Sequence, residues 1–505
     1  MKKNTTVFYI STGILLLMVL VGVFAPEGLE SVTANIQTFI TKSFGWYYLL
    51  FVSLVVIICL YFLISPLGKI KLGKQDDKPE FTRMSWFAML FSAGMGIGLV
   101  FWGTAEPISH YMISTPTGGE PGTDAAIRDA MRYTFFHWGI HAWAIYGLVA
   151  MVLAYFNFRH GKPALISATL EPVLGKYARG KTGKVIDIIS VVATVTGIAT
   201  TLGLGAVQIN GGLTYLFEIP ANFLTQFIIV IIVTVLFMVS AMTGLGKGIK
   251  ILSNTNMILA AALFLFVFIM GPTLFILNLF TNSVGTYIQN LPAMSLRISP
   301  LDADVREWIN GWTIFYWAWW IAWAPFTGIF IARVSKGRTI REFIFGVLLV
   351  PSVIGFLWFS TFGGTAISLE HQGVAAISEL ATEEALFGVL ANFPLPWVTS
   401  ILALILIGVF FITSADSGTY VLGMMTTNGS LTPGNRIKLV WGVLLSATAL
   451  VLLYSGGLMA LQNTMIIAAL PFSIIMGLMA WSLAKALSKE SKELGIGRIP
   501  KRREH

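Results

Sequence analysis

Between Trp308 and Arg341 the chain reads WINGWTIFYWAWWIAWAPFTGIFIARVSKGRTIR. At about 100° per residue, Trp312, Tyr316, Trp319, Trp320, Trp323, Thr327 and Phe330 fall in one helical stripe. Aromatic faces in a dry pocket attract a quaternary ammonium, which has no hydrogen to donate. An interfacial aromatic belt would gather these rings at the two ends of the helix, and packing between membrane helices favours small residues over indoles. FFHWGIHAWAIYGL supplies a second aromatic set. Trp143 and Tyr146 share a face of a regular helix, whereas Trp138 lies about 140° from Trp143, so periodicity alone does not gather all three. Oxygen ligands for a hard cation are crowded in FFITSADSGTY, where Thr413, Ser414, Asp416 and Ser417 each need a partner inside a membrane. Asp416 is a proton carrier, an ion ligand or a carboxylate satisfied by nearby hydroxyls. Thr194, Thr196, Thr200 and Thr201 are further hydroxyl candidates, although such groups usually bond back to the preceding helical turn.

Broken helices must position these groups. In FSAGMGIGLVFWGTAEP, Gly94, Gly96 and Gly98 alternate and share no helical face, which predicts local unwinding that frees carbonyls and amides for ions and polar ligand groups. Thr413 and Ser414 would face those carbonyls and complete an all-oxygen site. Pro325, followed by Gly328, predicts a second break five helices later. Five is odd, so the two broken helices run in opposite directions, the pattern of two inverted five-helix repeats with a site between them.

Composition agrees: 56% of residues are hydrophobic, 11% are charged and mean hydropathy is +0.78, which places the chain among multi-pass membrane proteins. Twelve hydrophobic segments are predicted, near 6–25, 46–65, 85–112, 132–157, 185–215, 221–243, 249–281, 311–333, 340–363, 396–424, 437–455 and 459–485. The first lacks a small-residue cleavage site and reads as a retained helix. With the N-terminus inside, only Lys42, Arg128, Arg132, Arg297 and Arg306 of the 33 Lys and Arg residues fall outside, so both termini are expected in the cytoplasm. The net charge of +9 thus reflects topology rather than nucleic-acid binding. Cys59, the one cysteine, excludes an intramolecular disulfide. In SPLDADVREWIN, Leu301, Val305, Trp308 and Ile309 predict an amphipathic helix on the outer surface. Lys485, Lys489, Lys492, Arg498, Lys501, Arg502 and Arg503 make the far end basic and suited to anionic lipid. The organisation read from these features is 1–83 (tail and two extra helices), 84–281 (first repeat), 282–310 (outer loop), 311–487 (second repeat) and 488–505 (basic cytoplasmic tail). A membrane-embedded enzyme would need a metal motif, paired cysteines or convergent carboxylates, and none is legible. A channel would use similar polar residues but conduct without saturating.

GMGIGLVFWGTAEP, HWGIHAWAIY, WTIFYWAWWIAWAPFTGIFIARVSKGRTIREF and FITSADSG together resemble the betaine/carnitine/choline transporter family over nearly the whole chain after the first two helices. The resemblance implies an all-α integral membrane fold of twelve transmembrane helices, with two inverted five-helix (LeuT-like) repeats preceded by two extra helices. It implies a homotrimer in the bacterial plasma membrane that takes up trimethylammonium solutes and has no cofactor beyond a coupling Na+. By position in the family's motifs, Trp138, Trp143 and Tyr146 form one side of an aromatic box and Trp319, Trp320 and Trp323 the other, beside Gly94 and Gly96. One sodium site would use Ser92, Met95 and Phe410 backbone with the Thr413 and Ser414 hydroxyls. A second would involve Thr194 and the region of Phe326, although Ile198 stands where sodium-coupled relatives offer a threonine. Choline carriers tend to have an acidic residue where this chain has Gly98, so a zwitterion, glycine betaine first, is the expected substrate; choline or carnitine transport by proton coupling or exchange is the alternative.

Overall fold

The computed structural model describes residues 5–94, 96–243 and 246–495, and over these it is helical almost throughout. Met95, an expected ion ligand, and Arg498, Lys501, Arg502 and Arg503 of the basic tail lie outside the described residues. The helices in order are α1 (Thr6–Phe24), α2 (Pro26–Ile64), α3 (Arg83–Gly94), α4 (Ile97–Met112), α5 (Asp124–Trp138), α6 (Ile140–Ala154), α7 (Ile166–Thr169), α8 (Glu171–Leu174) and α9 (Lys181–Phe217). They continue as α10 (Phe223–Thr243), α11 (Gly246–Met270), α12 (Thr273–Ser295), α13 (Ala303–Ile309), α14 (Phe315–Val334), α15 (Ile340–His371), α16 (Ala385–Leu390), α17 (Pro396–Met425) and α18 (Asn435–Glu493). Among the described residues ten helices are long and apolar enough to cross a bilayer, which makes this an all-helical, multi-pass membrane protein.

The centre of the bundle is α14. Every residue from Phe315 to Gly328 is buried, as befits a helix that is apolar all round. α6, α9 and α18 pack directly against it. By contrast α10 turns Ile228, Ile231, Ile232, Val235 and Val239 outward, a face suited to lipid.

Three helices depart from the sequence expectation. α14 runs unbroken through Pro325, so the second predicted interruption is not where it was placed. A proline removes one backbone donor and crowds the preceding turn, and membrane helices absorb this when neighbours enclose the freed carbonyl. Gly328 contributes by closeness instead: a Cβ there would sit 2.7 Å from Val149 on α6. The segment expected over 249–281 ends at Met270, and after Gly271 and Pro272 the chain starts α12. Its polar residues, among them Asn278, Thr281, Asn282, Ser283 and Gln289, hid it in the outer loop. In place of the amphipathic helix expected over Leu301–Ile309 stands the short α13, N-capped by Asp302, which joins α14 through a wider π turn at Asn310–Ile314. Leu301 precedes it and is 99% exposed.

The basic end of α14 has a structural role. Arg338 is buried over the Trp86 ring at 4.0 Å and pairs with Glu342 at 2.8 Å. Arg341 donates to the carbonyls of Leu63 and Ser65 at the end of α2, which favours the C-terminal end of a helix dipole. Ile70 and Leu72 bond to Ile340, Gly337 and Arg338 of the same connection.

Candidate functional site

Two helix breaks shape the site. The first lies at the glycine stretch, as the alternating pattern predicted: α3 ends at Gly94, and Gly96, in extended conformation, leads into α4. The second was not anticipated. Gly139, at φ −96° and ψ −138°, separates α5 from α6. A Cβ there would lie 2.6 Å from the Phe135 carbonyl oxygen and 2.8 Å from the Phe356 ring, so no larger residue fits without movement. The break resets the helical phase, and this is how Trp138 joins Trp143 and Tyr146.

Trp138, Trp143, Tyr146 and Trp320, with Leu99, Ala142 and Gly355, line one small cavity of about 10 Å³. None of these residues is charged. Its rings stand on edge to one another: Trp138 and Trp320 centroids are 4.9 Å apart at 72°, Tyr146 and Trp320 5.9 Å at 78°, and Trp143 and Tyr146 5.7 Å at 80°. Near-perpendicular rings present π faces to a small volume from several directions, which suits a compact cation without hydrogen-bond donors. Trp138 and Trp320 send their N–H groups elsewhere, to the Glu106 carboxylate at 2.7 Å and to the His137 carbonyl at 2.9 Å.

The remaining aromatic candidates lie around this cavity rather than in its lining. Trp319 stacks on Trp320 at 5.1 Å and 8° and faces Gly98, where a Cβ would meet its ring at 2.7 Å. Trp323 lies against Gly197 of α9 and edge-on to Phe326 at 5.3 Å.

The oxygen candidates sit on α17 and α9. The Thr413 hydroxyl donates to its own helix at Val409 and Phe410 and accepts from Asn256 Nδ2 at 3.1 Å. Ser92 and Ser414 are half-buried. Thr194 donates to Ser190 at 2.7 Å and lies 3.9 Å from the Met425 sulfur, and Ile198 packs under Gly418. Asp416 accepts from Ser240 at 2.6 Å, the arrangement of a carboxylate satisfied by a neighbouring hydroxyl.

A buried charged cluster went unnoticed in the sequence. Glu106 on α4 accepts on Oε1 from His137 Nδ1 at 2.6 Å and His110 Nε2 at 3.2 Å, and on Oε2 from Trp138 at 2.7 Å and Tyr316 at 2.5 Å. His137 Nε2 continues to Thr313 at 3.0 Å. Potential ligand atoms of Glu106, His110 and His137 lie within 4.8 Å of one another, but the direct 2.6 Å hydrogen bond leaves no space for an ion between oxygen and nitrogen. The available signal was an ionisable pair at i and i+4 inside a membrane helix, beside a histidine adjacent to a site tryptophan.

A helical membrane bundle opened at glycine breaks around a small aromatic cavity is the build of a carrier of small solutes. A family model confirms the class. The chain belongs to the betaine/carnitine/choline family of transporters, whose model matches residues 6–492; it is a transporter and not an enzyme. It is 62% identical over 494 residues, 98% of this chain and 96% of the other, to a protein of Bacillus subtilis (strain 168) named glycine betaine transporter OpuD. It is 46% identical to a probable glycine betaine transporter of Desulfitobacterium hafniense (strain Y51), over 97% of this chain and 98% of that one. To an ectoine/hydroxyectoine transporter of Virgibacillus pantothenticus it is 44% identical, again over 97% and 98%.

Proposed function

We propose that this protein takes up glycine betaine as an osmoprotectant by sodium-coupled symport. The observation that carries the reading is the uncharged cavity walled by Trp138, Trp143, Tyr146 and Trp320. It offers π faces to a trimethylammonium group and leaves the substrate to bring its own carboxylate. Gly98, pressed against Trp319, leaves no acidic side chain at the place expected in choline carriers. The names of the Bacillus and Desulfitobacterium relatives, a glycine betaine transporter and a probable one, point the same way.

A zwitterion gains nothing from the membrane potential, so accumulation needs a co-transported cation, each worth about 2.3 kcal/mol per 100 mV. Thr413 and Ser414, with backbone from Ser92, Met95 and Phe410, are the proposed first sodium site, and Thr194 with the Phe326 region the second. Twelve crossings fit the helix lengths. α18, at 59 residues, is long enough to cross twice and bends at Gly456 and Gly457, while α3 and α4 make one crossing between them. Two extra helices before two inverted five-helix repeats, cytoplasmic termini and a homotrimer in the bacterial plasma membrane complete the proposal. Labelled betaine uptake into proteoliposomes tests it: saturable accumulation driven by an inward sodium gradient is the expected result, and equal uptake without the gradient would sink it.

A further inference from the structure

The Glu106 cluster touches the cavity without lining it. An ionised carboxylate has about four lone-pair positions, and here four donors fill them: the His137 and His110 ring nitrogens, the Trp138 indole and the Tyr316 phenol. All are buried, and Glu106, His110 and His137 are fully so. With each acceptor position met by a donor, the geometry leaves the Glu106 carboxylate no place for a proton of its own. Of the four donors only Trp138 also lines the cavity. Its N–H points to the anion while its ring meets the substrate space. An N–H that donates to a carboxylate pushes electron density into the indole, and the anion at the ring's edge adds its own attraction to a cation held over the ring's face.

Resting on the reading of this cavity as a quaternary ammonium site, we propose that Glu106 is a positioning residue that acts through Trp138, fixing the indole and strengthening its hold on the substrate cation. Three helices contribute: α4 carries the anion, α5 the indole and His137, and α14 the Tyr316 donor. His137 also ties the opposite wall to the cluster, since its carbonyl accepts from Trp320.

A double-mutant cycle on the purified full chain separates action through Trp138 from a general structural role. Glycine betaine binding is measured by calorimetry for the wild type, Glu106→Gln, Trp138→Phe and the double variant. Glutamine keeps the shape and an acceptor, and His137 can exchange tautomers to meet its amide. Phenylalanine keeps a π face but has no N–H for position 106 to act on. Glu106→Gln should weaken binding roughly tenfold beside the native tryptophan and less than twofold in the W138F background. An equal loss in both backgrounds, or none in either, overturns the proposal. Should Glu106→Gln fail to fold, Glu106→Asp, whose anion is withdrawn from the indole, is put through the same cycle with the same two outcomes. A wild type that binds no betaine would instead defeat the reading of the cavity itself.

Discussion

Trp320 and Trp143 face the cavity from different helices, so each is expected to contribute its own cation–π contact. Trp320→Leu and Trp143→Leu should each weaken betaine binding by about 1 to 2 kcal/mol with little change in folding. Trp312→Leu should cost less affinity, because Trp312 packs on His110 at 4.4 Å and Trp102 at 5.5 Å, away from the cavity. Intrinsic fluorescence titration of the three variants checks both statements, and unchanged binding in Trp320→Leu and Trp143→Leu would remove the aromatic box from the mechanism. The stripe on α14 was legible in the sequence, but which neighbour each ring meets was not. Because α14 is enclosed on all sides, Trp319, Trp320 and Trp323 look alike by periodicity and yet face α4, the cavity and α9. Glu106 was missed for a related reason: its i+4 pairing with His110 could be read from the sequence, but the donors on α5 and α14 are brought to it by the fold.

At the level of the helix, composition separated breaks from continuity only in part. Alternating glycines marked the α3–α4 break because no packing face explains them. Gly139 stood alone between apolar residues and gave no such signal, while Pro325 gave a strong signal and leaves the helix whole. What decides is whether neighbours enclose the freed backbone, a property of the assembled bundle. Gly139→Ala tests the unanticipated break. Its Cβ must displace either the Phe135 carbonyl or the Phe356 ring, which stacks on Phe135 at 4.1 Å. A loss of about 1 to 3 kcal/mol in stability is expected, with weaker betaine binding as Trp138 moves relative to Trp143. Thermal unfolding in detergent followed by a binding isotherm gives both numbers, and a variant with native values on both would show that the break is incidental.

At the scale of the whole molecule, the end of α18 and the proposed coupling ion bear on distant elements. Glu490, on the last turns of α18, accepts from Tyr155 at 2.6 Å and pairs with Arg159, which also donates to the Gly73 carbonyl at 2.6 Å. Truncation after Leu487 removes this acceptor and should cost about 1.5 to 3 kcal/mol of stability, whereas truncation after Glu493 keeps it. Comparing the two in thermal unfolding therefore separates the Glu490 lock from any lipid attraction of the basic tail, which only an osmotic response in anionic liposomes would reveal. The coupling ion is the larger question, and it turns on α17. Hydroxyl and carbonyl oxygens with little formal charge suit a small monovalent cation, and Thr413 and Ser414 provide them one turn from the Phe410 carbonyl. Replacing either by Ala removes one proposed ligand, so on the sodium reading betaine uptake should need several-fold more sodium for half-maximal rate, with a smaller loss at saturating sodium. Asp416→Asn should be milder, because Ser240 already satisfies that carboxylate and an amide oxygen can accept the same bond. Proton coupling through Asp416 makes the opposite forecast: in sodium-free vesicles an imposed pH gradient would drive strong accumulation, and Asp416→Asn would abolish it. Uptake under those two gradients decides between the ions, and accumulation that follows the pH gradient alone would overturn the sodium assignment.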